Sequence, residues 1–399
     1  MPGDKNTYLK VRLGSAKPFA DLSPQVISVD ILDEDRGTDK ATVLLADQAH
    51  VNAEAIRVGQ EVRIEMGWES EHALLFMGEI RKTEAVAPAG GSTVGRVSFV
   101  AYDFSYRMGT RPKPELRSYE GSLDAILTVL AKRAGIPRAT VTMDIIPSWP
   151  INGQRLEQRD RTDWQMVQDL AEDYRARAFV EVNSEASDSA EELDQGGASR
   201  LYFISEKALL AQKPFGTLNY CRGYSSLIEF TFRRIGAGAS PSASVVVQDA
   251  ATGVVTRETA PPHPEEAPSA LGANQSEGTE AAMGQSRAAS AGVAVDFANS
   301  QPAPPTPTRP VTEIAGAPSD PAKARGLIEQ DATRIAGLSG SGLSMGTVLL
   351  RAKGSVQIEG LASAASGQWY LRSVNHRFEK EDTGKAARQT YRTSFEATR

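Results

Sequence analysis

A chain of 399 residues has room for two or three domains and a sizeable core. Its composition, 40% hydrophobic and 24% charged, is that of an ordinary globular protein, and a net charge of −6 argues against a general binder of nucleic acid or anionic membranes. A single cysteine, Cys221, excludes an internal disulfide framework and a cysteine-rich zinc site.

The N-terminus lacks the basic-then-apolar pattern of a signal peptide, and no apolar run approaches the ~18 residues of a membrane span. The expectation is a protein made in a cytoplasm, with no membrane insertion.

From Tyr8 to Asp103 short period-two runs follow one another: Leu9, Val11, Leu13; Ile27, Val29, Ile31; Val62, Ile64, Met66; Val97, Phe99, Ala101. Alternation between turns at Asp33–Asp39 and Pro88–Gly95 predicts half-buried antiparallel strands, enough for a small closed barrel or sandwich over residues 1–110.

Residues 111–216 read as a helix–helix–hairpin α+β module. Ser122 caps a helix with the stripe Leu123, Ile126, Leu127, Leu130, Ala131, Ala134, stopped by Gly135. Thr162 with Gln165 makes a capping box for a second helix, striped by Trp164, Val167, Leu170, Ala171 and Tyr174. Ala178–Asn183 and Leu201–Ser205 read as a hairpin around an acidic loop, Ser184–Ser199.

Strands resume at 217–238, and a hairpin over 243–258 can join the module. Residues 259–322 hold 11 of the 22 prolines and one aromatic, Phe297, which reads as a Pro/Ala-rich linker or insertion. Residues 323–344 read as a short helix, Pro321–Ala336 at its widest, and a flexible joint at Gly337–Gly342. Extended runs close the chain at Thr347–Ala352, Gln368–Phe378 and Thr390–Ala397, the middle one skipping a beat near Ser373 as a bulged strand does. The fold class is α+β, mainly β: two small antiparallel barrels, 1–110 and 217–238 plus 345–399, with the α+β module inserted between them.

Chemistry is sparse. The four histidines (His50, His72, His263, His376) show no metal-ligand spacing, and no phosphate loop, HExxH or GxSxG is present. Asp33–Asp39 has a passing likeness to a calcium loop, but the glycine comes one place early and Leu44 stands where the bidentate acid belongs. His376 is either a functional contact or a barrel histidine with its ring hydrogen-bonded. Trp164 and Trp369 are either partner-facing anchors or core residues. No cofactor and no metal are expected, and no catalytic residue stands out.

The order of elements resembles the tail-hub proteins of contractile phages, the late control protein D family. The type VI secretion spike's N-terminal region and the hubs of extracellular contractile injection particles share that fold. The stretches that carry the resemblance are Ser122–Ile136, Leu156–Tyr174, Leu201–Phe203, Val245–Gly253 and Gly360–Phe378. The resemblance implies a homotrimer, each chain giving two similar barrels to a ring in the baseplate of a phage tail or injection particle. It also implies a role joining a six-fold inner tube to a three-fold spike, with tube protein, spike protein and baseplate wedge proteins as partners.

No needle domain follows in this chain, which implies a separate spike protein. Trp164, Gly360, Trp369, His376 and Phe378 are the candidate structural or interface residues. A tail-associated cell-wall hydrolase is the alternative, and a β-rich adhesion module a third.

Overall fold

The computed structural model describes residues 6–14, 20–48, 51–86, 94–110, 114–151, 153–182, 199–220, 225–234, 243–248, 255–259, 312–314, 338–362, 365–382 and 387–399. The N-terminal part runs β1 (Thr7–Leu13), β2 (Ala20–Asp21), β3 (Val26–Glu34), β4 (Lys40–Gln48), α1 (Val51–Ala55), β5 (Glu61–Trp68), β6 (Glu71–Val86), β7 (Val94–Asp103) and α2 (Ser105–Thr110). The middle runs β8 (Arg117–Tyr119), β9 (Gly121–Ser122), α3 (Leu123–Arg133), β10 (Arg138–Thr142), β11 (Ser148–Trp149), β12 (Leu156–Gln158), α4 (Asp163–Asp173), β13 (Ala176–Val182), β14 (Ser199–Ser205) and α5 (Glu206–Leu210). The remainder is β15 (Thr217–Asn219), β16 (Leu227–Arg234), β17 (Ala243–Gln248), β18 (Val255–Thr259), β19 (Thr312–Ile314), β20 (Leu338–Met345), β21 (Gly354–Glu359), β22 (Gly367–Asp382) and β23 (Ala387–Thr398).

The fold is mainly β. Thirteen strands form one sheet in the order β16-β20-β23-β22-β3-β4-β7-β6-β5-β1-β2, with β21 also on β22 and β15 on β21. The expected pair of closed barrels is corrected here: among the described residues the hydrogen-bonded path closes on itself in neither half. The physical reason lies at one edge. The side of β3 that would close the first half is taken by β22, from Ser373↔Glu34 to Glu379↔Ser28.

Strand order repeats along this sheet. The N-terminal half reads β3-β4-β7-β6-β5-β1 and the C-terminal half β16-β20-β23-β22-β21-β15. The last pair differs, being antiparallel in the first half and parallel in the second. Each half buries its own core. One gathers Val29, Ile31, Val43, Ile64, Phe99 and Phe378, the other Leu227, Val356, Leu371, Val374 and Phe395.

The middle of the chain packs a third core. Leu123, Ile126, Leu127, Leu130 and Ala131 of α3 share one core with Met166, Val167 and Leu170 of α4 and with Ala178, Val180, Leu201 and Phe203 of the strands. β13 and β14 form the expected antiparallel hairpin, and β10 adds a parallel strand that periodicity did not indicate. Gly135 ends the first helix region with φ +78, where a side chain would be strained.

Ser122 has an extended backbone but its side chain makes no cap hydrogen bond, whereas Thr162 and Gln165 complete the reciprocal capping box. Thr162→Ala therefore removes a cap and is expected to cost about 1 kcal/mol. Chemical denaturation monitored by helical circular dichroism measures it, and an unchanged midpoint contradicts it.

Three further expectations change. Gly337–Gly342, read as a flexible joint, lies mostly in β20, paired to β16 and β23. A Cβ on Gly340 or Gly342 would overlap the ring of Phe230 or Phe395, so these glycines make room for aromatics in the sheet. Thr347–Ala352, read as extended, leaves the sheet. Within the supposed linker, β19 pairs in parallel with β17, next to the expected hairpin of β17 and β18. The helix expected before Gly337 and the acidic loop at 183–198 lie outside the described residues.

Candidate functional site: a buried junction of three chain segments

The irregular stretch between β20 and β21 is where the parts of the molecule meet. Trp68 Nε1 donates to the Gly346 carbonyl at 2.7 Å, and Arg351 donates to the Leu75 carbonyl at 2.6 Å. The Ala352 N–H donates to Asp33 Oδ2 at 3.0 Å. Lys353 then takes a left-handed backbone, φ +65, a conformation costing an L residue roughly 1 kcal/mol. The turn sends its side chain inward. It is 3% exposed.

The Lys353 ammonium lies 2.5 Å from Asp33, 3.0 Å from Asp39 and 3.0 Å from Glu181, and 5.1 Å from the centre of the Phe179 ring. Asp33 belongs to β3, Asp39 to the turn before β4, and Glu181 to β13 of the middle module. One cation thus ties together three pieces of chain. Behind it, Asp103 accepts from the Asp39 and Ser105 N–H groups, both at 2.6 Å.

Burial alone would lower the Lys353 pKa, but Asp33, Asp39 and Glu181 outweigh it and hold the ammonium well above the ordinary lysine value. For Asp33 burial acts upward, and Lys353 and Arg351 overcome it, so its carboxyl sits below the usual range. Asp39 goes the other way: burial, with Asp33 and Asp103 nearby, pushes it well up despite Lys353. Burial raises Asp103 to about 6 against its hydrogen bonds from Ser105 and Asp39. Asp33, Asp39 and Glu181 are close enough to share a metal ion, but the cation between them is the lysine.

Strongly perturbed carboxyls often mark catalytic sites. Here they are packed solid. A polar pocket of about 560 Å³ lies beside the module, lined by Arg36, Gln168, Glu172, Arg175, Arg177 and Glu206. Arg177 on its wall pairs with Glu206 at 2.5 Å and faces Asp35 at 3.7 Å, and the lining holds no serine, threonine, cysteine or histidine to serve as a nucleophile or imidazole base.

The five candidate residues do not converge. Trp369 is fully buried, donates from Nε1 to the Ala365 carbonyl at 2.8 Å, and meets the Phe230 ring edge-on at 5.0 Å. Phe378 sits in the N-terminal core although it comes from a C-terminal strand. Trp164 is half-buried against the module core. Gly360 has φ +83, and a Cβ there would overlap the Tyr220 carbonyl. The skipped beat near Ser373 is a register shift between Leu371 and Ser373.

His376 is buried with both ring nitrogens engaged. Nε2 meets the Leu350 carbonyl at 3.0 Å, which fixes the proton there, and Nδ1 accepts from the Tyr391 hydroxyl at 2.9 Å. Burial, with Arg351 near, lowers its pKa to about 4. Between pH 6.5 and 4 the unfolded chain binds a proton that the folded one excludes. Stability from His376 is thus lost as pH falls through that window, by roughly 3 kcal/mol. Asp103, raised from 3.8 to about 6, acts in the opposite sense over the same range. The difference between the parent and His376→Gln isolates the histidine: the variant should lose less stability from pH 7 to pH 4 in denaturant titrations. Equal losses contradict the assignment.

Lys353 and its carboxylates escaped sequence reasoning, because Ala352-Lys353-Gly354 reads as an exposed turn and Asp33 is 320 residues away. No family model matches the chain, and no curated protein matches it. Solved structures do. A tail protein from Neisseria meningitidis MC58 superposes with a TM-score of 0.60 at 11% identity, covering 99% of this chain and 97% of that one.

The fold is that of phage tail proteins. The 43 kDa tail protein of prophage MuSo2 from Shewanella oneidensis gives a TM-score of 0.57 at 10% identity, over 98% of each chain. An E. coli component of the type VI secretion system, described as structurally similar to the T4 bacteriophage tail proteins gp27 and gp5, gives 0.53 at 8% identity, over 94% of this chain and 73% of that one. At these identities the tail-protein likeness is one of fold.

Proposed function

We propose that this chain is a structural baseplate hub of a contractile phage tail or contractile injection system. In this reading it is a homotrimer that joins a six-fold inner tube to a three-fold spike. The observation that carries the reading is the repeat of strand order: each chain holds two like halves, so three chains present six. The near-complete overlap with tail proteins supports it. The two halves are the tube-type domains of the hub, and the middle module faces the wedge proteins. The buried lysine junction fixes halves and module in one orientation, which an adaptor that transmits load requires.

Among the described residues no helix is long and apolar enough to cross a membrane. The hydrolase alternative needs an open pocket with a free general acid, whereas Asp33 and Asp39 are buried on Lys353 and Asp35 faces Arg177. The test is to mix the purified chain with the inner tube protein of the same particle and image the product. Rings seated on tube ends are expected. Absence of any association, with release of muropeptides from cell wall, would overturn the reading.

A further inference from the structure

The two halves match in register as well as in order. Between β6 and β7 the pairing shifts at Ile80/Lys82, leaving Arg81 as an extra residue; between β22 and β23 it shifts at Leu371/Ser373, leaving Arg372. Aligning these two bulges sets Phe99 on Phe395 and Ala101 on Ala397, all four buried. A second pair of bulges then falls into line without adjustment. β3 shifts against β4 at Val26/Ser28, and β16 shifts against β20 at Leu227/Glu229. β16 is therefore the counterpart of β3, and β6 of β22.

Within the chain, β22 and β3 make the seam between halves. Past its bulge β22 runs out of β21 and pairs antiparallel with β3: Val374↔Asp33, Asn375↔Leu32, His376↔Ile31, Arg377↔Asp30. β6 behaves alike up to that point. Its pairing with β5 ends at Glu79, and beyond the bulge the edge of Lys82–Val86 away from β7 is paired with no strand among the described residues. β16 has β20 on one side and, among the described residues, no strand on the other. Among the described residues these two edges are unpaired, and they are the counterparts of the two that already join.

Exposure follows the same logic. Ile31 and His376, inside the seam, are 1% and 0% exposed; their counterparts are Phe232, at 38%, and Ala85, also exposed. Val86 is 57% exposed. Apolar side chains along open strand edges are what proteins avoid unless another strand covers them.

We propose that the Lys82–Val86 edge of one copy pairs antiparallel with β16 of the next copy. This deepens the hub reading, on which the closure of the ring at three copies rests. Carrying over the internal register sets Glu84 opposite Arg233, Ala85 opposite Phe232 and Val86 opposite Thr231. Glu84 and Arg233 are of opposite charge, as a cross-strand pair favours. The contact is head-to-tail, so it builds a ring if the rotation closes. Three seams within chains then alternate with three between them, all of one kind.

Directly opposed positions bring their Cβ atoms to ~4.5–5.5 Å. In a Cys221→Ser background, Glu84→Cys with Arg233→Cys should therefore crosslink on oxidation into covalent dimers and trimers on denaturing gels. Either cysteine alone, or Glu84→Cys with the out-of-register Glu229→Cys, should not. In parallel, Arg233→Glu should weaken assembly at least tenfold and Glu84→Lys with Arg233→Glu should restore it, with far-UV circular dichroism at 25 °C unchanged because both sites are exposed. Trimers by light scattering that fail to crosslink overturn this seam and leave the hub reading standing. Monomers at every concentration overturn both.

Discussion

Lys353→Met is expected to destabilise the protein by about 3–5 kcal/mol, because it removes the ammonium shared by three carboxylates and leaves them buried or half-buried without it. Its length and apolar stem fit the space, so the loss reads charge rather than volume. The effect should spread beyond the residue. Asp33, Asp39 and Glu181 belong to two different parts of the chain, and hydrogen exchange should rise together in β13 and in the turn before β4. Adding Asp39→Asn should recover part of the loss, since burial already disfavours the Asp39 charge. Denaturant midpoints for the single and double variants measure the coupling. A Lys353→Met protein within about 1 kcal/mol of the parent would mean that the junction does not hold the parts together.

Trp369→Ala should cost a similar amount, about 3–5 kcal/mol, the range for deleting a large aromatic from a packed core. The ring is fully buried, its N–H is bonded to Ala365, and Phe230 of β16 leans on it edge-on. Its removal opens a cavity beneath the strand proposed to meet the next copy, so assembly should weaken along with folding. Trp369→Phe keeps most of the packing and should cost less. A loss below about 1 kcal/mol would show that the second core is carried by other residues.

The helices and the bulge were legible because their causes are local. The box of Thr162 and Gln165 is three residues long, and the skipped beat at Ser373 marks a shift seen in pairing. β20 was misread because its glycines look like a joint, and the reason for them, the rings of Phe230 and Phe395, lies on neighbouring strands. Thr347–Ala352 alternates like a strand but is drawn away by contacts to Trp68, Leu75 and Asp33, all near the other end of the chain. Closed barrels were expected because each half has enough strands. The seam of β3 with β22 could not be read, since neither strand carries a mark of its partner. The internal repeat is equally hidden, resting on matched bulges and on a few shared core residues such as Phe99 and Phe395.

The most direct test of the hub reading is the mass of the purified protein in solution, by size-exclusion chromatography with multi-angle light scattering. Three times the 42.8 kDa chain mass is predicted, held across a dilution series. A stable species of 42.8 kDa at every concentration would contradict it.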